Sequence, residues 1–136
     1  MIQVHPYLFF NGNCREAMTF YHKHIGGDLQ VMTYADIPGG EFPPGLGHYV
    51  MHGALTQGSL MIMASDSMGQ GQPIVFGSSV QLTLSVDTVA DAERLFKALG
   101  DGGSVDMPLE ETFWAKRFGS VTDRFGIKWM INFEGK

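Results

Sequence analysis

The feature that most constrains the fold of this chain is a pattern that occurs twice, with an offset of 75 residues (Asn13 to Thr88). In the first copy an apolar run of strand length, Val4–Phe10, precedes Asn13, and in the second an alternating run, Val80–Val86, precedes Thr88. Both polar residues favour a helix N-cap, and apolar residues at helical spacing follow each of them. The offset superposes Asn13 on Thr88, Ala17 on Ala92, Phe20 on Leu95 and Tyr21 on Phe96. Matches in one register indicate an internal repeat.

Local signals define the beginnings and ends of the two predicted helices. Glu16, three residues after Asn13, predicts a reciprocal capping box at the first helix, and Asp91 stands at the same distance from Thr88. A glycine follows the last apolar residue of each stripe and ends the helix there.

Three further strand-like segments follow each helix. They are 29–35, 49–56 and 60–64 in the first copy, and 104–107, 113–121 and 127–133 in the second. A Pro- and Gly-rich loop over residues 37–48 is expected to lack regular structure, and it is either a lid over a pocket or a plain excursion. Asp123–Gly126 predicts a hairpin turn. Each copy therefore reads β-α-β-β-β, which predicts an α+β fold.

Four segments carry a resemblance to a known family. The segments Pro6–Cys14, Glu111–Ala115, Gly119–Gly126 and Trp129–Asn132, together with the tandem βαβββ order, resemble PhnB-like proteins of the vicinal oxygen chelate superfamily. That superfamily includes glyoxalase I, bleomycin-resistance proteins and extradiol dioxygenases. The resemblance implies one domain over residues 1–136, built from units of about 1–68 and 76–136. It also implies a curved mixed sheet with a concave cavity, helices on the outer face, and a homodimer.

The resemblance also implies the positions at which metal ligands would lie. In metal-dependent members of the superfamily, the ligands come from the first and last strand of each unit. By register these positions are Pro6, Ile62 or Met63, Gln81 and Met130. Of these residues only Gln81 could ligate a divalent ion, and a one-residue slip would add only His5. We therefore predict no metal and no cofactor.

Alternation along the strands predicts which side chains line the cavity. Leu82 and Leu84 should face the helices, which leaves Gln81, Thr83 and Ser85 towards the cavity. By the same rule the last strand contributes Lys128, Met130 and Asn132, and the first strand contributes Pro6, Leu8 and Phe10. Such a wall, apolar with scattered polar groups, is typical of a small-molecule site. The alternative is that these residues face water or a subunit interface.

Other candidate residues have both a structural and a functional interpretation. His52, inside an apolar run, is a hydrogen-bonded core histidine or a general base. Trp114 stacks on a flat ligand or merely packs. Cys14, in the first helical turn, is a buried thiol or one activated by the helix dipole. The ligand-binding candidates are Gln81, Thr83, Trp114, Lys128, Met130, His52 and His5, and no catalytic residue is assigned.

Composition excludes several classes of partner. Nine Lys and Arg against fourteen Asp and Glu give a net charge of −5, without a basic cluster that would suit nucleic acid or an anionic membrane. No apolar run approaches the roughly 20 residues of a transmembrane helix, and no signal peptide precedes the first strand. We therefore expect a cytoplasmic protein. Sparse charge and nine methionines favour an adaptable apolar surface, in agreement with a homodimer.

Two functions remain after these exclusions. The first is metal-free binding of a small, partly aromatic molecule, as in bleomycin-resistance proteins. The second is a lyase or isomerase of the glyoxalase kind, either metal-dependent or with an unorthodox site around His5, His52 or Gln81. PhnB-like sequences have also been labelled as methyltransferases, but the sequence has no Gly-rich nucleotide loop after a strand.

Overall fold

A computed structural model describes residues 1–67 and 73–135. The chain divides into two compact units, Met1–Val75 (unit 1) and Phe76–Lys136 (unit 2). Each unit has the element order β-α-β-β-β, so the predicted α+β class and the repeat are confirmed. The boundary expected near residue 68 lies outside the described residues. No helix in the described ranges is long and apolar enough to span a membrane.

Unit 1 forms a four-stranded mixed sheet with one helix. Its elements are β1 (Tyr7–Phe10), α1 (Cys14–Ile25), β2 (Asp28–Thr33), a single 3-10 turn (Tyr34–Asp36), β3 (Val50–Gln57) and β4 (Leu60–Asp66). The strand order is β1-β4-β3-β2. β1 is parallel to β4, and the other pairs are antiparallel.

Unit 2 repeats this arrangement. Its elements are β5 (Leu82–Ser85), α2 (Val89–Gly100), β6 (Ser104–Glu110), β7 (Arg117–Thr122) and β8 (Lys128–Phe133). The order β5-β8-β7-β6 corresponds strand for strand to that of unit 1, again with one parallel pair, β5 and β8. The two helices have equal length and begin 75 residues apart (89 − 14), as the repeat predicts.

Each helix buries its apolar stripe against its own sheet. α1 packs on β2, β3 and β4 through Ala17, Met18 and Tyr21. α2 packs on β6, β7 and β8, and its buried residues are Ala92, Leu95 and Leu99. Burial of apolar surface stabilises each contact by about 25 cal/mol per Å² removed from water. Among the described residues of each unit, the helix lies on one face of the sheet, and we refer to the opposite face as the open face.

The first helix is capped differently from the prediction. Asn13 makes no side-chain cap, so the capping box with Glu16 is wrong. The buried carboxylate of Asp66, at the end of β4, accepts hydrogen bonds from the backbone N–H groups of Gly12 and Cys14, both at 2.9 Å. A negative charge at a helix N-terminus is favourable, and this one comes from a distant strand. The prediction for α2 is confirmed, because Thr88 Oγ1 accepts from Asp91 N at 3.0 Å.

The predicted hairpin turn before β8 is confirmed, and a buried carboxylate organises it. Asp123 Oδ1 accepts from the backbone N–H groups of Phe125 and Ile127, and Oδ2 accepts from the indole N–H of Trp129 at 2.8 Å. Gly126 has a φ of 96°, which an L side chain rarely adopts. The turn thereby fixes the largest buried side chain of unit 2 at the start of β8.

Candidate functional site

The open face of unit 1 presents the opposite set of β1 residues from the predicted one. Phe10 is completely buried, whereas Tyr7 and Phe9 are 38% and 48% exposed. Since alternate strand residues point to opposite faces, Leu8 shares the buried face with Phe10. The expectation that Pro6, Leu8 and Phe10 line the cavity is therefore wrong. On β4, Ile62 is in the core and Met63, the register partner of Tyr7, belongs to the open face.

Tyr7 connects β1 to His52 on β3. Its phenol oxygen lies 3.3 Å from His52 Nδ1, and its ring centroid lies 5.0 Å from that of Phe9. His52 is half-buried and is the register partner of the exposed Met32. The histidine is therefore not a core residue, and it contributes to an aromatic patch with one polar pair. We refer to Tyr7, Phe9 and His52 as the aromatic patch of unit 1.

His5 does not join this pair. It precedes β1, and its Nε2 lies 3.3 Å from Gln3 Oε1, a contact between near neighbours in sequence. Of the seven candidate residues, His5 and His52 belong to unit 1, and the other five belong to unit 2.

On the open face of unit 2, register places two of the candidates side by side. Thr83 on β5 is the partner of Met130 on β8, and Met130 is in turn the partner of Ser120 on β7. Thr83 is exposed, Met130 half-buried and Ser120 buried. Gln81, also exposed, comes before β5 and outside its ladder. This face is thus more polar than that of unit 1.

Lys128 is held in a polar network within unit 2. Its Nζ donates to Thr122 Oγ1 at 2.9 Å, and Thr122 Oγ1 donates to Asp106 Oδ2 at 2.7 Å. The ammonium lies 3.6 Å from the same Asp106 oxygen. These partners neutralise and orient the lysine, so the side chain is less available to a ligand than the sequence alone indicates.

Trp114 belongs to an exposed group of aromatic rings. Its centroid lies 5.3 Å from that of Phe118 on β7 and 4.8 Å from that of Phe113, both edge to face. Phe113 is almost fully exposed, and about half of Trp114 is accessible. Thr112 anchors the segment, because its Oγ1 accepts from Trp114 N and Ala115 N. Trp114 therefore both packs and keeps an accessible face.

A cavity of about 270 Å³ lies at the ends of β5 and β8. Its lining residues are Ser85, Val86, Asp87, Asn132, Phe133, Glu134 and Gly135. Ser85 and Asn132 are register partners. Asn132 Oδ1 is shielded from solvent and has no hydrogen-bond partner among the described residues. Buried polar atoms without partners are rare, so this oxygen makes the cavity a candidate ligand site. We refer to this as the Asn132 cavity.

A second cavity, of about 500 Å³, lies beside the beginning of α1 and is bordered by Arg15, His48 and Asp66. Asp66 already satisfies the helix N-terminus there. Cys14 nearby is buried, and burial, reinforced by the negative charge of Asp66, raises its pKa from 9.0 to about 12. Of the two interpretations the structure therefore shows the buried thiol, and the raised pKa favours its protonated form.

Comparison with known proteins places the chain in a family. The sequence model of the Glyoxalase/Bleomycin resistance protein/Dioxygenase superfamily matches residues 3–131. The chain belongs to this superfamily. It is 34% identical over 140 residues to the protein YjdN of Escherichia coli (strain K12), covering 93% of this chain and 92% of that protein.

Two solved structures are similar to this chain over almost its full length. Protein PA1353 from Pseudomonas aeruginosa superposes with a TM-score of 0.89 at 47% identity, over 100% of both chains. A PhnB protein from Bacillus cereus, named a putative 3-demethylubiquinone-9 3-methyltransferase, has a TM-score of 0.79 at 25% identity, covering 97% of this chain and 99% of that one. The resemblance to PhnB-like proteins is thereby confirmed.

The metal positions of the superfamily provide a test of fit. Of the expected positions, Pro6 and Gln81 come just before β1 and β5, and they supply a single donor, the amide oxygen of Gln81. Met63 and Met130 lie on the open faces, on β4 and β8. The two thioethers are soft donors, and this set has no carboxylate and no imidazole. In the described ranges no three His, Cys, Asp or Glu side chains are close enough to share an ion. These residues do not fit a divalent-metal site of the superfamily's kind.

Proposed function

We propose that this member of the superfamily binds a small, partly aromatic molecule without a divalent metal ion. The observation that carries the proposal is the pair of methionines, Met63 and Met130, at equivalent positions on the two open faces. A methionine there supplies apolar, adaptable contact where a metal-dependent relative needs a hard or borderline donor.

Exposed aromatic residues support the same proposal. The aromatic patch of unit 1 and the Phe113–Trp114–Phe118 group of unit 2 leave ring surface accessible. Ligand sites are mostly apolar with a few placed polar groups. Such groups are His52 in unit 1 and Thr83 in unit 2, whereas Lys128 is already engaged by Thr122 and Asp106. Gln81 and His5 lie just before the first strands of their units.

Metal analysis is the first test of this proposal. We expect the purified protein to contain no stoichiometric metal. Titration with Ni²⁺, Zn²⁺ and Mn²⁺, followed by calorimetry, should detect no binding tighter than the micromolar range, where binding free energies are about −8 kcal/mol. One tightly held ion per chain would refute the metal-free proposal.

A ligand panel is the second test. Flat ring compounds with polar substituents, among them a short-chain ubiquinone suggested by the name of the Bacillus cereus protein, should raise the unfolding temperature by mass action. Binding should weaken in Met63→Glu or Met130→Glu, because a carboxylate in contact with an apolar ring loses hydration without gaining a partner. The control is Glu93→Gln, a substitution on the exposed side of α2. A panel without any stabilising compound would contradict the proposal.

A second candidate function follows from the contact between Tyr7 and His52. A phenol within hydrogen-bond distance of an imidazole is an arrangement suited to moving a proton, as a lyase or isomerase requires. Turnover of the methylglyoxal–glutathione hemithioacetal, lost in both Tyr7→Phe and His52→Gln, would favour this alternative. Binding of the panel without turnover would favour the first function.

We also propose that the chain forms a homodimer and acts in the cytoplasm. Exposed apolar residues in both units, among them Met32 and Met107, support the dimer. The net charge of −5 gives no attraction to nucleic acid or to anionic membranes.

A further inference from the structure

The Asn132 cavity has a chemical preference that can be deduced from its wall. Asp87 and Glu134 contribute carboxylates, and Ser85 contributes a hydroxyl. Among the described residues no Lys, Arg or His lines it, although the methylene carbons of Lys116 lie against Gly135 at its edge. The described wall therefore contains two acidic residues and no basic one.

Asn132 Oδ1 gives this preference a specific position. An acceptor that is buried without a partner is unfavourable, and a donor that reaches it removes that cost. The χ2 angle of an asparagine is broad, and Asn132 itself lines the cavity. Rotation about χ2 is therefore the movement that would bring Oδ1 to a donor bound in the cavity.

The neighbouring residue on β7 extends the site towards the aromatic group. Asn132 is the register partner of Phe118, and Phe118 contacts Trp114. Directly opposed residues on adjacent strands have their Cβ atoms about 5 Å apart. A ring against Phe118 and a donor at Asn132 are therefore separated by about the length of a two-carbon linker.

We propose that the Asn132 cavity binds the protonated amine of an aryl-alkylamine, with Asn132 Oδ1 as hydrogen-bond acceptor and Asp87 as counter-charge. This inference rests on the proposed function, in which the chain binds a small, partly aromatic molecule, and it specifies the polar end of that ligand. The negative net charge of the protein favours the approach of a cation.

The test uses three indoles that share a ring and differ in the head group. Tryptamine carries a cation, indole-3-ethanol a neutral donor and indole-3-propionate an anion at neutral pH. Titration of the full-length protein should show tryptamine binding about tenfold or more tighter than indole-3-ethanol, the gain typical of a hydrogen bond to a charged group. Indole-3-propionate should bind most weakly.

Variants assign the effect to the cavity. Asn132→Leu should weaken tryptamine and indole-3-ethanol together, about fivefold or more, because both lose the acceptor. Asp87→Asn should weaken tryptamine alone. Asn132→Asp keeps an acceptor and adds charge, so it should preserve or tighten tryptamine binding and shows that the position tolerates substitution. Glu93→Gln, on the exposed side of α2, should change nothing.

The possible failures are distinguishable. Equal affinity of the three indoles would overturn the amine inference and leave the proposed function intact. Tryptamine binding that survives both Asn132→Leu and Asp87→Asn would also overturn it, by placing the amine elsewhere. No tryptamine binding at about 1 mM, a threshold near −4 kcal/mol, would overturn the inference whatever other ring compounds bind.

Discussion

Asp123 shows how much of unit 2 depends on one buried side chain. Asp123→Asn keeps one oxygen but directs an NH₂ group towards the indole N–H of Trp129, so two donors oppose each other. We expect the free energy of unfolding to fall by about 2–3 kcal/mol, the cost of unsatisfied buried groups. Urea denaturation measures this change. Asp101→Asn, which removes only an exposed contact with Arg124, should cost under about 1 kcal/mol. Equal losses would contradict this interpretation.

Cys14 predicts how stability changes at alkaline pH. Its pKa is raised from 9.0 to about 12, chiefly by burial. Below pH 9 the thiol is protonated in both the folded and the unfolded state, so its contribution to the free energy of unfolding is fully present. Above pH 9 only the unfolded state releases the proton, so the unfolding free energy falls as pH rises towards 12. Cys14→Ala should show a shallower decline than the wild type between pH 9 and 10.5 in denaturant titrations. Parallel curves would show that the folded thiol ionises normally.

At the scale of elements, the N-terminus of α1 provides a direct comparison of two caps. If Asp66 rather than Asn13 satisfies the first N–H groups, Asn13→Ala should change stability by less than about 0.5 kcal/mol. Asp66→Ala should cost about 3 kcal/mol or more, because Gly12, Cys14 and Val50 all lose their acceptor. Thermal unfolding of the two variants is the measurement. A large effect at Asn13 would restore the capping-box prediction.

Comparison of α1 with β1 shows why the sequence predicts the positions of helices better than the faces of strands. Helical periodicity fixed the repeat, and the helices begin 75 residues apart, as predicted. When the same offset is applied to β1, it assigns the wrong set of side chains to the open face. By exposure Tyr7 corresponds to Thr83, which is an offset of 76 residues. A strand has a period of two, so an error of one residue reverses every side chain. Asp66 escaped prediction as the cap of α1 because the N–H groups of Gly12 and Cys14 are more than fifty residues away from it in sequence.

The candidate site was predictable only in part, for a related reason. The alternation of side chains correctly placed Thr83 and Met130 on one face, because β5 and β8 pair in an unbroken register. It gave no access to the contact of Tyr7 with His52, which joins strands 45 residues apart. Nor could it show that Asn132 Oδ1 lacks a partner, because satisfaction of a buried atom depends on all its neighbours.

The lid function of the loop over residues 37–48 remains a prediction. It has no strand or helix, as expected, and turn hydrogen bonds such as Leu46 N to Pro43 O brace it. The ring of Phe42 lies close to Gly47, although more than a third of Phe42 is exposed. If it closes over a ligand, limited proteolysis within it should slow several-fold when a panel compound binds. Equal cleavage rates would show that the loop is a plain excursion.

At the scale of the whole molecule, the edge strand β6 and its exposed apolar residues support the proposed dimer. The edge strand β6 contains Asp106 and Pro108, and both residue types discourage the addition of another strand. Its apolar residues Val105 and Met107 are nevertheless half exposed. Apolar surface that is exposed beside a blocked edge favours association through side chains rather than through backbone pairing.

Sedimentation equilibrium tests the dimer and its surface together. We expect the wild type to sediment at twice the chain mass of 15.0 kDa at tens of micromolar protein. Met107→Lys should weaken association about tenfold or more, because a lysine in a buried interface loses its hydration without a partner. Lys97→Ala, on α2, is the matched control and should leave the mass unchanged. A wild-type mass of one chain excludes the dimer, and a dimer indifferent to Met107→Lys places its interface away from β6.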